Sequence, residues 1–133
     1  MEHMGTYFKT AVAVIGTVIT YLFGGWSSLL GILLTFVVID CITGWMAARI
    51  DGKLSSSVGF KGIAKKIMIF AFVAIAHLID VALGTEIFMI AAIYFYLANE
   101  LLSIIENAGR MGADFPPAIK NAIEILSEKG DMK

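Results

Sequence analysis

The sequence predicts an all-α integral membrane protein with about four transmembrane helices and a short amphipathic helix toward the C-terminus. Three observations carry this. Of 133 residues, 59% are hydrophobic and 16% are charged, with a mean hydropathy of +0.85, whereas a soluble domain carries about 25% charge. The apolar residues gather into four long runs, and the stretch from Thr10 to Ala48 contains one charge, Asp40. Because about 20 apolar residues cross a hydrocarbon core about 30 Å thick, that stretch alone holds two crossings.

The first run covers about 8–25. Thr10 to Phe23 by itself has the length of an interfacial or re-entrant segment, and Tyr7, Phe8 and Gly24 to Trp26 bring it to spanning length. Tyr7 and Trp26 then sit at its two ends as interfacial belt residues. Lys9 before an apolar run also fits a cleavable signal peptide, but a small-residue cleavage site is lacking and a second apolar run follows at once. A three-span reading, in which this first run does not cross, stays open. The break Gly24-Gly25-Trp26-Ser27-Ser28 punctuates the chain, and the second span follows over about 29–48. The third and fourth spans cover about 67–84 and 87–106, separated by Gly84-Thr85-Glu86.

Between the second and third spans the sequence predicts a basic loop over 49–66, with Arg49, Lys53, Lys61, Lys65 and Lys66 against the single acid Asp51. Short basic loops stay on the cytoplasmic side, and the two opposite connections contain no Lys or Arg. Lys9 falls on the same side as the loop. Four spans therefore place both termini in the cytoplasm, with a transmembrane domain over 1–107 and a cytoplasmic tail over 108–133. In that tail a helix is predicted over about 116–128, opened by Pro116-Pro117 with Asp114 as a cap. Ile119, Ala122, Ile123 and Leu126 share one face, opposite Lys120, Glu124 and Glu128. The apolar face is expected to lie on the membrane, pack on the basic loop, or contact a neighbouring subunit.

Each of the last three spans contains one carboxylate: Asp40, Asp80 and Glu100. An ionised side chain at the bilayer centre costs about 2.5–3.5 kcal/mol on insertion scales, so these groups should face protein or water rather than lipid. At a rise of ~1.5 Å per residue, Asp40 and Glu100 lie a few ångströms to the cytoplasmic side of the midplane and Asp80 to the outer side. Helical spacing gives each acid polar or small company. Asp40 aligns with Thr43, Gly44 and Ala48. Asp80 aligns with Ala76, His77 and Gly84, and Glu100 with Ser103 and Asn107, with Asn99 and Glu106 adjoining. Small residues let membrane helices approach closely, where packing and hydrogen bonds drive association.

No Lys or Arg is expected within reach of these acids inside the membrane. Each must then be protonated, wetted, or hydrogen-bonded to another copy. That reasoning predicts a homo-oligomer whose polar edges seal against one another or line a water-filled lumen. The loop cations are read as membrane-surface anchors, and no nucleic-acid partner is expected, since Lys65-Lys66 abuts a span and lacks an extended basic face. Cys41 is the only cysteine, so no intramolecular disulfide forms. His3 and His77 lack zinc-site spacing, no metal or cofactor is expected, and there is no phosphate loop, nucleophile elbow or metalloprotease signature. The chain is not expected to be an enzyme.

Asp40-Cys41-Ile42-Thr43-Gly44, Gly52-Lys53-Leu54-Ser55-Ser56, Gly62 with Lys65-Lys66, Asp80, and Asn99-Glu100-Leu101-Leu102-Ser103-Ile104-Ile105-Glu106-Asn107 together resemble the phage-lysis and toxin-secretion holin family. The likeness runs from about Leu29 to Pro117. It implies a small protein of the bacterial cytoplasmic membrane that oligomerises and opens a non-specific lesion. It also implies a functional link to a cell-wall hydrolase or toxin, without direct contact being required. Two other readings of the embedded acids are a small proton-coupled transporter and a membrane-anchored adaptor.

Overall fold

The computed structural model describes residues 2–131. Five helices follow one another: α1 (Glu2–Phe23), α2 (Ser28–Ile50), α3 (Ser56–Leu83), α4 (Ile87–Arg110) and α5 (Pro117–Gly130). The first four are long and apolar enough to cross a membrane, and no strand occurs among the described residues. The fold class is the one the hydropathy pattern predicts.

Helix ends are set by local signals. Ser27 and Ser55 stand in extended conformation before α2 and α3, and their hydroxyls accept from the backbone N–H groups of Leu30 and Val58. Such caps satisfy donors that a first turn leaves unpaired. The Ser55 cap moves the start of α3 well ahead of the hydrophobic run. Where hydropathy predicted a basic loop over 49–66, only 51–55 lie outside helix. Hydropathy reports where hydrocarbon begins, whereas capping and propensity decide where a helix begins. At 28 residues, α3 is about 42 Å long and overhangs a core about 30 Å thick.

The packing is centred on α4, which touches α2, α3 and α5, while α1 packs along α3. Leu30, Leu33 and Val37 of α2, Ile69 and Val73 of α3, and Ile93 and Leu97 of α4 form the core. Their spacing by three, four and seven gives each helix one inward stripe. In lipid the apolar effect does not favour this stripe over tails, so close fit must supply the cohesion. Buried Ala47 and Ala48 on α2 and Ala91, Ala98 and Ala108 on α4 permit the approach.

The remaining helices attach at the margins. α1 has no buried residue, and holds α3 at its end through Phe23, edge-on to Phe70 with ring centroids 6.5 Å apart. Its last turn closes at Gly24, with φ of 74°, where a Cβ would stand 2.8 Å from His77 Cε1. A side chain there meets both αL strain and the imidazole. α5 runs antiparallel to α4. Ile119, Ala122, Ile123, Leu126 and Gly130 turn inward and Lys120, Glu124 and Glu128 outward, with Lys129 5.4 Å above the Tyr94 ring. The predicted apolar face thus finds its partner within the chain, on α4.

Candidate functional site: a charged cluster joining three helices

The inward stripes of α2, α3 and α4 each include one ionisable side chain. Asp40 continues Leu33 and Val37, Lys66 precedes Ile69 and Val73, and Glu100 follows Ile93 and Leu97. Their spacing turns the three groups inward, and their contacts bring them to one level. The Lys66 ammonium bonds Asp40 Oδ2 and both oxygens of Glu100, at 2.8 and 2.9 Å. Asn107, one helical repeat after Glu100, donates through Nδ2 to Asp40 Oδ1 at 2.9 Å, to the Asp40 carbonyl at 3.2 Å and to Thr43 Oγ1 at 3.0 Å. Thr43 returns its hydroxyl proton to the Ile39 carbonyl at 2.8 Å.

Asp40, Glu100 and Asn107 are 6%, 3% and 8% exposed, so the cluster is shielded on most sides. No buried side-chain nitrogen or oxygen among the described residues lacks a hydrogen-bond partner. Gly44 lies beneath the Asn107 amide, whose Nδ2 would be 3.5 Å from a Cβ there. An outer ion pair joins Arg110 at the end of α4 to Asp51 in the α2–α3 turn, at 2.7 and 3.0 Å.

These contacts correct the premise that no cation reaches the embedded acids. Hydropathy alone starts α3 at the hydrophobic run and so leaves Lys66 among the surface anchors. Once the helix is extended to Ser56, Lys66, Val73 and Asp80 fall on one heptad stripe, and the long lysine stem carries its ammonium inward to the carboxylates. Two of the three acids therefore have a cationic partner in their own chain, and the need for a second copy to satisfy them disappears.

Asp80 has a different role from the pair. Its Oδ1 accepts from Thr85 Oγ1 at 2.7 Å and from Phe88 N at 3.0 Å, and its Oδ2 from Met89 N at 2.9 Å. Glu86, in the N-cap position of α4, makes no side-chain cap bond, so the acid from the end of α3 caps the next helix. A carboxylate at a helix N-terminus also meets the positive end of its dipole.

The other sequence-selected residues are more dispersed. Ala48 is buried beside the cluster, while Ser103 and Glu106 line a groove above it together with Lys53 and Lys65. His77 packs on Gly24. Ala76 lines an apolar cleft between α3 and α4. Gly84 supplies the αL residue that ends α3, with φ of 70°. Asn99, Arg49 and Lys61 are exposed and make none of the cluster's bonds. Cys41 is free and half-buried. Among the described residues no group of three or more His, Cys, Asp or Glu side chains is placed to hold a metal ion.

The fold and cluster define a class: a small helical membrane protein with four helices long and apolar enough to span and an ion-paired core. The model of the bacteriophage holin family matches residues 17–128, and the chain belongs to that family. A probable holin of Bacillus phage phi105 is 32% identical over 114 residues, covering 85% of this chain and 84% of that one. An uncharacterised protein of Halalkalibacterium halodurans is 50% identical, covering 96% of this chain and 98% of its own length. An uncharacterised protein of Listeria innocua is 49% identical, covering 95% and 91%. No solved structure matches.

Proposed function

We propose that this protein assembles with copies of itself in the bacterial cytoplasmic membrane and opens a lesion. The lesion would allow a cell-wall hydrolase or toxin to leave and the host to lyse, with no catalytic step by the chain. The supporting observation is the Lys66–Asp40–Glu100 cluster, together with family membership. An internally paired cluster lets a single copy reside in lipid at low cost, since its charges are mutually satisfied. If α2, α3 and α4 part, the same groups become a hydrophilic surface that water can stabilise. Ion pairing weighs against a proton-exchanging transporter, because neither carboxylate stands free for a substrate.

The basic segment 49–66 is assigned to the cytoplasmic face, with the N-terminus and the Arg110 end of α4 on that side, from which α5 turns back along α4. The polar side of α5 agrees with a lumen-lining role in the oligomer. Its end at Gly130 is level with Phe95, about 22 Å along α4 from Arg110. Lys120, Glu124 and Glu128 therefore stand beside a membrane-spanning helix. Facing lipid they would carry the cost of embedded charge; facing shared water they would not.

Induced expression with a membrane-potential dye and a membrane-impermeant DNA stain tests the proposal. Abrupt depolarisation and stain entry, followed by lysis when a cell-wall hydrolase is co-expressed, is the expected result. Intact potential at a level of protein that saturates the membrane would sink it.

A further inference from the structure

Above the charged cluster, α2, α3 and α4 leave an open groove of about 510 Å³. It descends from Lys53 in the α2–α3 turn and Arg110 at the end of α4 to Asp40 at its floor. Two of its cations are already engaged, Lys66 with the cluster and Arg110 with Asp51. Lys53 and Lys65 also line it, and neither is in an ion pair among the described residues. The Trp45 indole, also on the wall, has no hydrogen-bond acceptor among those residues.

From the geometry we infer that this groove binds the headgroup of an anionic phospholipid that carries free hydroxyls, such as phosphatidylglycerol. The phosphodiester lies between Lys53 and Lys65, whose flexible stems bring ammonium groups to the polar boundary. Lys65 is two residues before Ile67, where the hydrophobic run of α3 begins, the level at which a headgroup phosphate sits. Glu106, the uncommitted acid of the same groove, accepts from the headgroup hydroxyls, which a bare phosphate cannot offer. The wall provides the rest of the fit. Gly62 has nothing within 4 Å of the position its Cβ would take, so the groove stays open beside it, and Trp45 and Val58 give apolar surface for the glycerol backbone and first methylenes. No α5 residue lines the groove, so access does not require that helix to move. The inference does not rest on lesion formation.

The full chain with Trp26→Phe leaves Trp45 as its single tryptophan, a reporter within the groove. It is reconstituted in phosphatidylcholine vesicles containing increasing brominated phosphatidylglycerol or, separately, brominated phosphatidylcholine, and Trp45 quenching is followed. Brominated phosphatidylglycerol is expected to quench at lower mole fraction. Lys53→Gln and Lys65→Gln should each reduce its relative binding about fivefold. Gly62→Leu, which fills the groove while keeping every charge, should lower it as well. Lys61→Gln, outside the groove, should leave it unchanged.

Equal quenching by the two lipids overturns the inference. A Lys61→Gln loss as large as those at Lys53 and Lys65 also overturns it, by showing diffuse surface attraction. Displacement of brominated phosphatidylglycerol by inorganic phosphate would assign the groove to free phosphate instead. Because the readout is lipid contact, its failure leaves the lesion-forming role untouched, and loss of lesion activity leaves a positive lipid preference standing.

Discussion

Lys66 on α3 donates to both carboxylate oxygens of Glu100 on α4, at 2.8 and 2.9 Å, while its third proton is directed to Asp40 on α2. One ammonium group thereby joins three membrane-spanning helices. Its three donors match three carboxylate oxygens, and Asn107 occupies the fourth. Any movement that separates one helix from the other two must break a charge-assisted bond, so the cluster couples the helices into a unit.

Removing the cation tests that coupling. Lys66→Met leaves two carboxylates side by side without a counter-charge, and breaking a buried ion pair from one side costs about 3–5 kcal/mol. Thermal unfolding in detergent should show a loss of that order. Adding Asp40→Asn and Glu100→Gln to Lys66→Met should recover most of it, because neutral groups of similar shape remain. In induced cells Lys66→Met is expected to depolarise the membrane earlier. If the single variant is as stable as the parent, the pairing does not hold the bundle together.

Hydropathy and the stop signals made the four spans and the amphipathic α5 readable in advance, and the acids marked the core stripes of α2 and α4. The partner of those acids was not readable by the same route. A hydropathy window places Lys65 and Lys66 together at the edge of a run, and only helical phase separates them: Lys66 shares its stripe with Val73 and Asp80, while Lys65 is exposed on the wall of the open groove. That phase becomes visible once Ser55 is recognised as a cap. Asp80 shows a second limit. Periodicity linked it to His77 and Gly84 on its own helix, whereas its partners Thr85, Phe88 and Met89 lie across the turn on the next one.

The capping role of Asp80 makes a graded prediction. Asp80→Ala deprives Phe88 and Met89 of acceptors where water is scarce, and an unsatisfied buried group costs about 1–3 kcal/mol. Asp80→Asn keeps one carbonyl acceptor and should cost less. Amide exchange at Phe88 and Met89 should accelerate strongly in the Ala variant and partly in the Asn variant, with the amides near Asn107 unaffected. Identical exchange in all three proteins would remove the cap from the account.

Gly44 offers a steric test of the cluster without altering charge. A Cβ at this position would make ordinary van der Waals contact with Asn107 Nδ2 at 3.5 Å, so Gly44→Ala should be tolerated within about 1 kcal/mol, the scale of a small repacking change. Gly44→Leu adds branches that must displace the Asn107 amide from Asp40. Its expected destabilisation, read by detergent unfolding, is about 1–3 kcal/mol, and Asn107→Ala in the same chain should relieve part of it. Equal stability of the Ala and Leu variants would mean that the amide is not held over Gly44.

The attachment of α5 depends on one close approach. A Cβ on Gly130 would lie 2.7 Å from Phe95 N and 2.9 Å from Phe95 Cα, and because both atoms are backbone, neither can rotate away. Gly130→Leu should therefore lift the end of α5 from α4, where an alternative rotamer could not rescue it. The displacement can be read in a Cys41→Ser background with Ile123→Cys as the only thiol, since Ile123 is on the docked face. A membrane-impermeant thiol reagent applied to inside-out vesicles should label that cysteine slowly with Gly130 present and several-fold faster with Gly130→Leu. A matching cysteine at Ser127, exposed in the docked helix, should label at a similar rate in both chains. If Ile123→Cys reacts equally fast with or without the leucine, α5 is not held against α4 and its charged side has no defined position in an assembly. If the rates diverge as expected, the same variant separates docking from lysis: delayed depolarisation with Gly130→Leu would show that the docked helix contributes to the lesion, and unchanged timing would restrict the lumen to the groups carried by α2, α3 and α4.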